Sequence, residues 1–244
     1  MMVTQMNTKH TSNTARVLFA GDIHGNVDHL HWVFQKAQAE NATHIIACGD
    51  FGYWVHMAFG RKFVNTVAKL AQQNNIRFLW VDGNHENHDV LHDLVTKHGD
   101  TNPIPTPNEW VQWIPRGCRF KLGTTTFMGY GGAYSVDWKD RTEGTSWWRG
   151  ELINPYHVDM IERKHVDILV THEAPFGHAI SYKDDIPVSV NQRVLVSEIM
   201  EKVTPDIVVS GHHHTRVTWN DGETQINVLG RDEMGDESVL VLDV

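Results

Sequence analysis

The chain has 244 residues, a formal net charge of −9, 41% hydrophobic and 9% aromatic residues, and no apolar run of transmembrane length. This length supports one large domain or two small ones with a sizeable core. The acidic balance argues against a general binder of nucleic acid or of anionic membranes, because such proteins normally carry a basic face.

The polar amino-terminal segment MMVTQMNTKHTSNTA lacks the apolar stretch of a secretory signal. We therefore predict a disordered leader at 1–15 and a single domain at 16–244. Cys48 and Cys118 stand far apart and form no CxxC pair, so neither a disulfide framework nor a cysteine metal site is indicated. These features favour a bacterial or phage cytoplasmic protein.

Short apolar runs alternate with helical patterns in the first half of the chain, which is typical of layered α/β folds. Each of three predicted strands precedes an amphipathic segment with apolar residues at helical spacing. The strands lie at 16–20, 43–49 and 76–83, and the helices at 27–40, at 58–74 and around Leu91, Leu94 and Val95.

Strands dominate the second half. A proline-rich segment, TNPIPTPNEW, breaks regular structure, and VQWIP, RFKL and TTFMGY are predicted to form a β-meander. A Trp- and Gly-rich loop at 131–150 is followed by helices near 155–165 and 188–202, strands at 166–172 and 206–211, and two or three closing strands. We predict one domain in which two sheets pack together.

Five predicted strands end in the same kinds of polar residue. The motifs are GDIHG (21–25), GD (49–50), GNHE (83–86), TH (171–172) and GHHH (211–214). Ligands of α/β sheets collect at the carboxyl ends of strands, so we expect these five loops to converge on one site. Carboxylates, imidazoles and one amide oxygen, without a thiolate, suit divalent metals.

The spacing within two motifs also favours metal binding. Residues two apart in an extended segment point the same way, so Asp22 and His24 should share a side, as should His212 and His214, with His213 facing away. Each motif alone has an ordinary explanation, since an Asp after a strand is usually a turn former or helix cap. Five together at strand ends predict a metal site.

The order of these motifs resembles that of the calcineurin-like metallophosphoesterases, over the range 16–217, and especially their small bacterial and phage members. The resemblance implies an α/β (α+β) fold, a two-sheet β-sandwich flanked by helices, with a dinuclear metal site at strand ends. Asp50 would bridge the two metals. One metal would be held by Asp22, His24, Asp50 and His214, and the other by Asp50, Asn84, His172 and His212.

The same resemblance implies hydrolysis of a phosphodiester or phosphomonoester of a small molecule by a hydroxide that bridges the two metals. His85 would protonate or hydrogen-bond the leaving oxygen. Manganese is expected first, with iron and zinc as alternatives, because the same ligands accept all three. Candidate partners for the metal-bound imidazoles are Asp82, Glu86 and Glu173.

The chain departs from the serine/threonine protein phosphatase branch. Tyr53, Trp54 and Asp82 stand where that branch has an aspartate and two arginines, so protein phosphatase activity is not expected. The segment 131–151 is similar to one in small members of the superfamily and predicts substrate contacts. These are Tyr134, Arg141, Trp147, Trp148 and Arg149. The competing interpretation, that the tryptophans only pack the loop onto the sandwich, stays open.

Two other functions also stay open. The superfamily includes DNA-processing members, so a nuclease acting on nucleic acid or its ends is one alternative, although the acidic charge offers no general attraction for long nucleic acid. The other is a binding scaffold without turnover. Loss of ligands is the usual mark of such a scaffold, and this sequence keeps all of them, including His85.

Overall fold

The structure is a computed structural model that describes residues 15–181, 183 and 186–244. The strands are β1 (Arg16–Ala20), β2 (His44–Cys48), β3 (Arg77–Val81), β4 (Ile104–Pro105), β5 (Val111–Trp113), β6 (Arg119–Leu122), β7 (Thr125–Tyr130), β8 (Ile168–Thr171), β9 (Ile207–Ser210), β10 (Val217–Asp221), β11 (Thr224–Val228) and β12 (Val239–Asp243). The helices are α1 (Val27–Ala39), α2 (Ala58–Asn74), α3 (His88–His98), α4 (Pro155–Asp159) and α5 (Pro187–Val203).

Within this described part, the strands form two six-stranded sheets. The first has the order β12-β1-β2-β3-β5-β4, in which β1, β2, β3 and β5 are parallel. The second has the order β10-β11-β9-β8-β7-β6, in which β11, β9, β8 and β7 are parallel. Ala47 of β2 lies opposite both Ala20 of β1 and Trp80 of β3, so these strands end at one edge.

The apolar core lies in three layers. Phe19 and Leu79 of the first sheet pack with Phe127 and Val209 of the second, which fills the space between the sheets. The outer face of the first sheet is covered by α1, α2 and α3, and that of the second by α4 and α5. This arrangement confirms the predicted two-sheet sandwich flanked by helices.

Local signals set the starts of the helices that follow the site loops. The Asn26 side chain accepts hydrogen bonds from the backbone N–H groups of Asp28 and His29, which caps α1. Asn87 caps α3 in the same way through the N–H of Val90. Both caps directly follow a polar strand-end motif, GDIHG (21–25) and GNHE (83–86), so each helix starts next to the site.

Two predicted elements were wrong. The three strands of the predicted β-meander belong to different sheets, because β5 pairs with β3 whereas β6 and β7 pair with each other. Alternating polarity in short strands does not specify which sheet they join. The helix predicted near 155–165 ends at Asp159, and the Arg119 guanidinium donates to the carbonyls of Glu162, Lys164 and His165, which ties the segment after the helix to β6.

The predicted leader at 1–15 lies outside the described residues except for Ala15. The backbone of Ala15 exchanges two 2.7 Å hydrogen bonds with Val244. Among the helices that the structure describes, none combines the length and the apolar character that a membrane crossing requires.

Candidate metal centre

All of the predicted metal ligands meet at one edge of the sandwich. His214 Nε2 lies 3.1 Å from Asp22 Oδ2, and His172 Nε2 lies 3.0 Å from Asn84 Oδ1. The ring centroids of His172 and His212 are 4.9 Å apart. The parallel strands of both sheets deliver these side chains, so convergence follows from the carboxyl ends of strands sharing an edge.

Asp50 occupies the middle of this donor cluster. Its Oδ2 atom lies 3.5 Å from Nε2 of His24 and 3.7 Å from Nε2 of His85, while its Oδ1 lies 3.5 Å from Nε2 of His172. Asp22 and Asp50 both belong to groups whose ligand atoms lie within 4.8 Å of one another. The two oxygens of Asp50 thus face imidazoles from both predicted ligand sets, His24 on one side and His172 on the other, which fits the expected bridging role.

Glycines allow the ligands to approach the backbone this closely. A Cβ at Gly83 would lie 2.2 Å from Asp50 Oδ1, and a Cβ at Gly211 would lie 2.3 Å from Asp22 Oδ1. Real Cβ atoms do not approach other heavy atoms so closely. Any larger residue at these positions would displace a carboxylate of the cluster.

The backbone of the motifs is not extended, which corrects the reasoning from alternate residues. His24, Asp50, His212 and His214 have φ values of 50°, 43°, 65° and 53°, in the left-handed region. Such residues store local strain of about 1–3 kcal/mol each and cluster at functional sites. His212 and His214 therefore face different parts of the cluster, as His214 meets Asp22 whereas the His212 ring meets His172.

His213, expected to face away, has a structural role. Its side chain is buried, with Nε2 2.8 Å from Glu173 Oε1 and Nδ1 2.9 Å from Ser181 Oγ. Glu173 Oε2 also lies 3.5 Å from His212 Nε2. The middle histidine thus holds the loop after β8 against the loop after β9.

The other candidate partners of the imidazoles bind elsewhere. Glu86 accepts hydrogen bonds from the backbone N–H groups of Gly52 and Gly83, at 2.9 and 2.6 Å, and so ties two site loops together. Burial raises the pKa of Glu86 to about 7. Asp82 pairs with Arg116 at 2.7 Å.

Sequence reasoning missed Asp232, which orients a predicted ligand. Its Oδ1 lies 3.1 Å from Nδ1 of His24, and its Oδ2 accepts a 2.9 Å hydrogen bond from Asn26 Nδ2. Metal-binding histidines commonly bond a carboxylate through the ring nitrogen that faces away from the metal. Asp232 follows β11, which is parallel to β9, so its position after one more strand was the available signal.

A second missed group orients the amide of Asn84. Asn84 Nδ2 donates to Ser135 Oγ at 3.0 Å, and Ser135 Oγ donates to Glu151 Oε2 at 2.7 Å. This series of hydrogen bonds leaves Asn84 Oδ1 facing His172. Lys183, also missed, donates from Nζ to the backbone carbonyl of His212. The sequence offers no local signal for these contacts.

Charge balance shows that the cluster fits divalent ions. Asp22 and Asp50 are at most 1% exposed. Burial would raise the pKa of Asp50, but His85, His172 and His24 hold it well below its usual range. Burial alone would lower the pKa of His24, yet Asp50, Asp22 and Asp232 raise it to about 10. These buried carboxylates need positive charge, which divalent ions supply to an oxygen and nitrogen donor set of this kind.

Arg141 joins the cluster through His85. Its guanidinium lies 2.8 Å from Nε2 and 3.0 Å from Nδ1 of the imidazole, and it donates to Asp137 Oδ2 at 2.8 Å. Burial lowers the pKa of His85 and Arg141 lowers it further, while Asp50 opposes them. A cation therefore stands beside the histidine, although the sequence lacks the arginines of the protein phosphatase branch.

The other predicted substrate residues lie outside the donor cluster. Tyr134 accepts a hydrogen bond from Trp138 Nε1. Trp147 and Trp148 are 9% and 4% exposed, as the packing interpretation expects, and Trp148 also lines a cavity beside His85. Arg149 pairs with Glu143 at 2.8 Å on the surface.

Comparison with known proteins gives a family match and a shared fold. Residues 15–216 match the model of the family described as calcineurin-like phosphoesterase. An uncharacterized protein of Haemophilus influenzae is 24% identical over 225 residues, covering 83% of this chain and 85% of the relative.

Two crystal structures show the same fold at low identity. Protein TT1561 of Thermus thermophilus is 11% identical with a TM-score of 0.53, covering 94% of this chain and 99% of that one. A dimetal phosphatase from Danio rerio is 12% identical with a TM-score of 0.51, covering 89% of this chain and 87% of that one. These likenesses concern the arrangement of strands and helices.

Proposed function

Because this chain belongs to the calcineurin-like phosphoesterase family, we propose that it hydrolyses a phosphodiester or phosphomonoester of a small molecule with two divalent metal ions. Family membership supports the general activity, that of a metal-dependent phosphoesterase. The class of ester, the small phosphorylated substrate and the preference for manganese over iron or zinc belong to the proposal.

The observation that carries the proposal is the position of Asp50 between imidazoles on both of its oxygens. When bound, two divalent ions would activate water and polarise phosphoryl oxygens. Asp22, His24, Asp50 and His214 would hold one ion, and Asp50, Asn84, His172 and His212 the other.

The chain's own residues supply the rest of the chemistry. Arg141 offers a planar cation that can pair with two phosphate oxygens. His85 stands between Arg141 and Asp50, and we assign it the role of protonating or hydrogen-bonding the departing oxygen. Trp54 fixes the backbone of His85, since its Nε1 donates to the His85 carbonyl at 2.7 Å.

The test is hydrolysis of p-nitrophenyl phosphate and bis-p-nitrophenyl phosphate by protein loaded with manganese, before and after a chelator. We expect hydrolysis of at least one ester, lost with the chelator and restored by manganese. A preference for the diester would assign phosphodiesterase chemistry, and a preference for the monoester would assign phosphatase chemistry. Metal-loaded protein that cleaves neither ester would overturn the proposal and favour a binding scaffold.

We also propose a cytoplasmic location. Cys48 and Cys118 are both free and buried, which supports it because the cytosol keeps thiols reduced.

A further inference from the structure

A cavity of about 220 Å³ lies beside His85, outside the cluster of predicted metal ligands. Its lining comes from two segments, 54–59 before and within the first turn of α2, and 145–148 in the Trp-rich loop, together with His85 and Arg141. His85 and Arg141 therefore border both the donor cluster and this cavity. A substituent that occupies the cavity would therefore belong to the leaving alcohol of the phosphate ester, because His85 is the residue expected to meet the leaving oxygen.

One wall is formed by Trp54 and Phe59. The Trp54 indole is held by its 2.7 Å hydrogen bond to the His85 carbonyl. A Cβ on Gly25 would lie 2.8 Å from the Trp54 ring, so glycine lets the indole pack against the loop that carries His24. The Phe59 ring stands 5.7 Å from the indole at 64°, and Phe59 is 58% exposed. An exposed phenyl ring next to a fixed indole is apolar surface without an internal partner on its outer side.

The other wall is formed by Trp148 and His56. Trp148 Nε1 donates to Asp89 Oδ2 at 3.1 Å, and the His56 ring meets the Trp148 ring edge-on at 5.6 Å. Asn87 Nδ2 donates to His56 Nδ1 at 3.1 Å, which fixes the imidazole as an acceptor there. Both walls are thus formed before a ligand arrives, and a preformed site avoids the ordering cost of binding.

The chemistry of the lining selects among occupants. Among the described residues that line the cavity, none carries a carboxylate, and Arg141 is cationic, so a quaternary ammonium group is disfavoured. Aromatic walls favour a flat neutral ring, and the hydroxyls of Thr145 and Ser146 provide hydrogen-bonding groups for its polar edge. The cavity is smaller than sites for drug-sized ligands, which measure about 300–1,000 Å³, so its size fits a single ring system.

We infer that this cavity binds a neutral aromatic ring carried on the leaving-group side of the substrate. The substrate class is then a phosphate ester whose leaving alcohol carries an aromatic ring, such as a nucleoside 5′-phosphate or a diester of one. The inference rests on the proposed function, because it takes His85 as the residue that meets the leaving oxygen.

The test compares adenosine 5′-phosphate with ribose 5-phosphate, which share the ester and differ in the base. Binding is measured by calorimetry on protein without added metal, and kcat/KM on manganese-loaded protein. Base stacking on aromatic side chains predicts about tenfold tighter binding of the nucleotide. Phe59→Ala should bring the ratio of the two dissociation constants close to one. Tyr156→Ala, which removes a 78% exposed ring that does not line the cavity, should leave the ratio unchanged.

The outcomes separate the inference from the proposed function. Equal binding of the two phosphates by the wild-type chain would overturn the inference, and so would tighter binding of octyl phosphate than of the nucleotide. Hydrolysis of both esters at equal kcat/KM, with equal binding, would leave the proposed function standing without the aromatic site. Selective nucleotide binding by protein that hydrolyses neither these monoesters nor bis-p-nitrophenyl phosphate would leave the ring-binding assignment of the cavity standing and remove the proposed function.

Discussion

At the scale of single residues, His85 differs in its expected role from the predicted metal ligands that surround it. Its Nε2 lies 3.7 Å from Asp50 Oδ2, and its backbone N–H donates to Asp50 Oδ1 at 2.9 Å. Arg141 lies against the imidazole on the other side. Because the resemblance places His85 outside both ligand sets, its contribution should be separable from metal binding.

We therefore expect His85→Asn to keep both metal ions while lowering kcat by about 10²–10⁴-fold, the usual contribution of a positioned acid or base. Metal content would be measured by atomic emission spectroscopy on the protein used for kinetics. His98→Asn, which changes a histidine at the end of α3, serves as the matched control. A His85→Asn variant with wild-type kcat would remove His85 from the reaction.

Asp232 is predicted to act through His24. Asp232→Ala removes the carboxylate on Nδ1 of His24 and should weaken manganese binding by about 10–100-fold. Asp232→Asn keeps an oxygen acceptor, so its loss should be smaller. Asp236→Ala removes an exposed carboxylate that pairs with Lys36 and should leave the affinity unchanged. Calorimetric titration with manganese, on protein freed of metal by a chelator, checks this order of affinities. Equal affinity in the Asp232→Ala and Asp236→Ala variants would contradict it.

At the scale of elements, the strand ends were predictable and some pairings were not. Asp22, Asp50 and Asn84 each follow an apolar strand within a glycine-containing motif, so hydrophobic pattern and turn chemistry indicated them together. Asp232 was missed because the closing strands were predicted without bounds, so its place after β11 was not recognised. The sheet that β5 joins was missed because its partner β3 precedes it by a helix, and the pattern within one segment carries no information on such a pairing.

The close approach of the loops gives a prediction for Gly83. Gly83→Ala places a methyl carbon 2.2 Å from Asp50 Oδ1, so that carboxylate must move and manganese affinity should fall by at least about tenfold. Gly222→Ala is the control, because Gly222 has a φ of +59° and no heavy atom near its Cβ position. That control should lose about 1 kcal/mol in the free energy of unfolding from backbone strain alone and keep its metal affinity. Wild-type affinity in Gly83→Ala would show that the loops can move apart.

At the scale of the whole molecule, the site depends on how the two sheets are held. The first sheet supplies Asp22, Asp50 and Asn84, and the second supplies the histidines after β8 and β9. Arg116, in the connection between the sheets, pairs with Asp82 at the end of β3 and donates to the carbonyls of Gly150, Glu151 and Leu152. Arg116 thus fixes the loop of Glu151 beside the strand that precedes Asn84.

Removing Arg116 should therefore destabilise the fold. Arg116→Met leaves Asp82, 1% exposed, without its cation and is expected to cost about 3–5 kcal/mol in the free energy of unfolding. Urea unfolding at pH 7 measures this cost, and Arg163→Met, at an exposed arginine, is the control. A cost below about 1 kcal/mol would show that the pair contributes little.

The pH dependence of that cost tests its electrostatic origin. Burial would raise the pKa of Asp82, but Arg116 and His88 hold it below its ordinary value. The stabilisation is then complete above the unfolded pKa of about 3.9 and is lost as pH falls through the folded pKa. The difference between wild type and Arg116→Met should shrink below about pH 4. A difference that stays constant down to pH 3 would assign the cost to packing.

The most direct measurement of the central claim is the manganese stoichiometry and ester hydrolysis of Asp50→Asn beside wild type, with circular dichroism to show that both are folded. If Asp50 bridges, the wild type should bind two manganese ions per chain and the variant fewer. The variant should also lose more than about 100-fold in hydrolysis, the loss expected when a residue only hydrogen-bonds a metal ligand. A folded Asp50→Asn protein that binds two ions and keeps full metal-dependent activity would contradict the dinuclear mechanism.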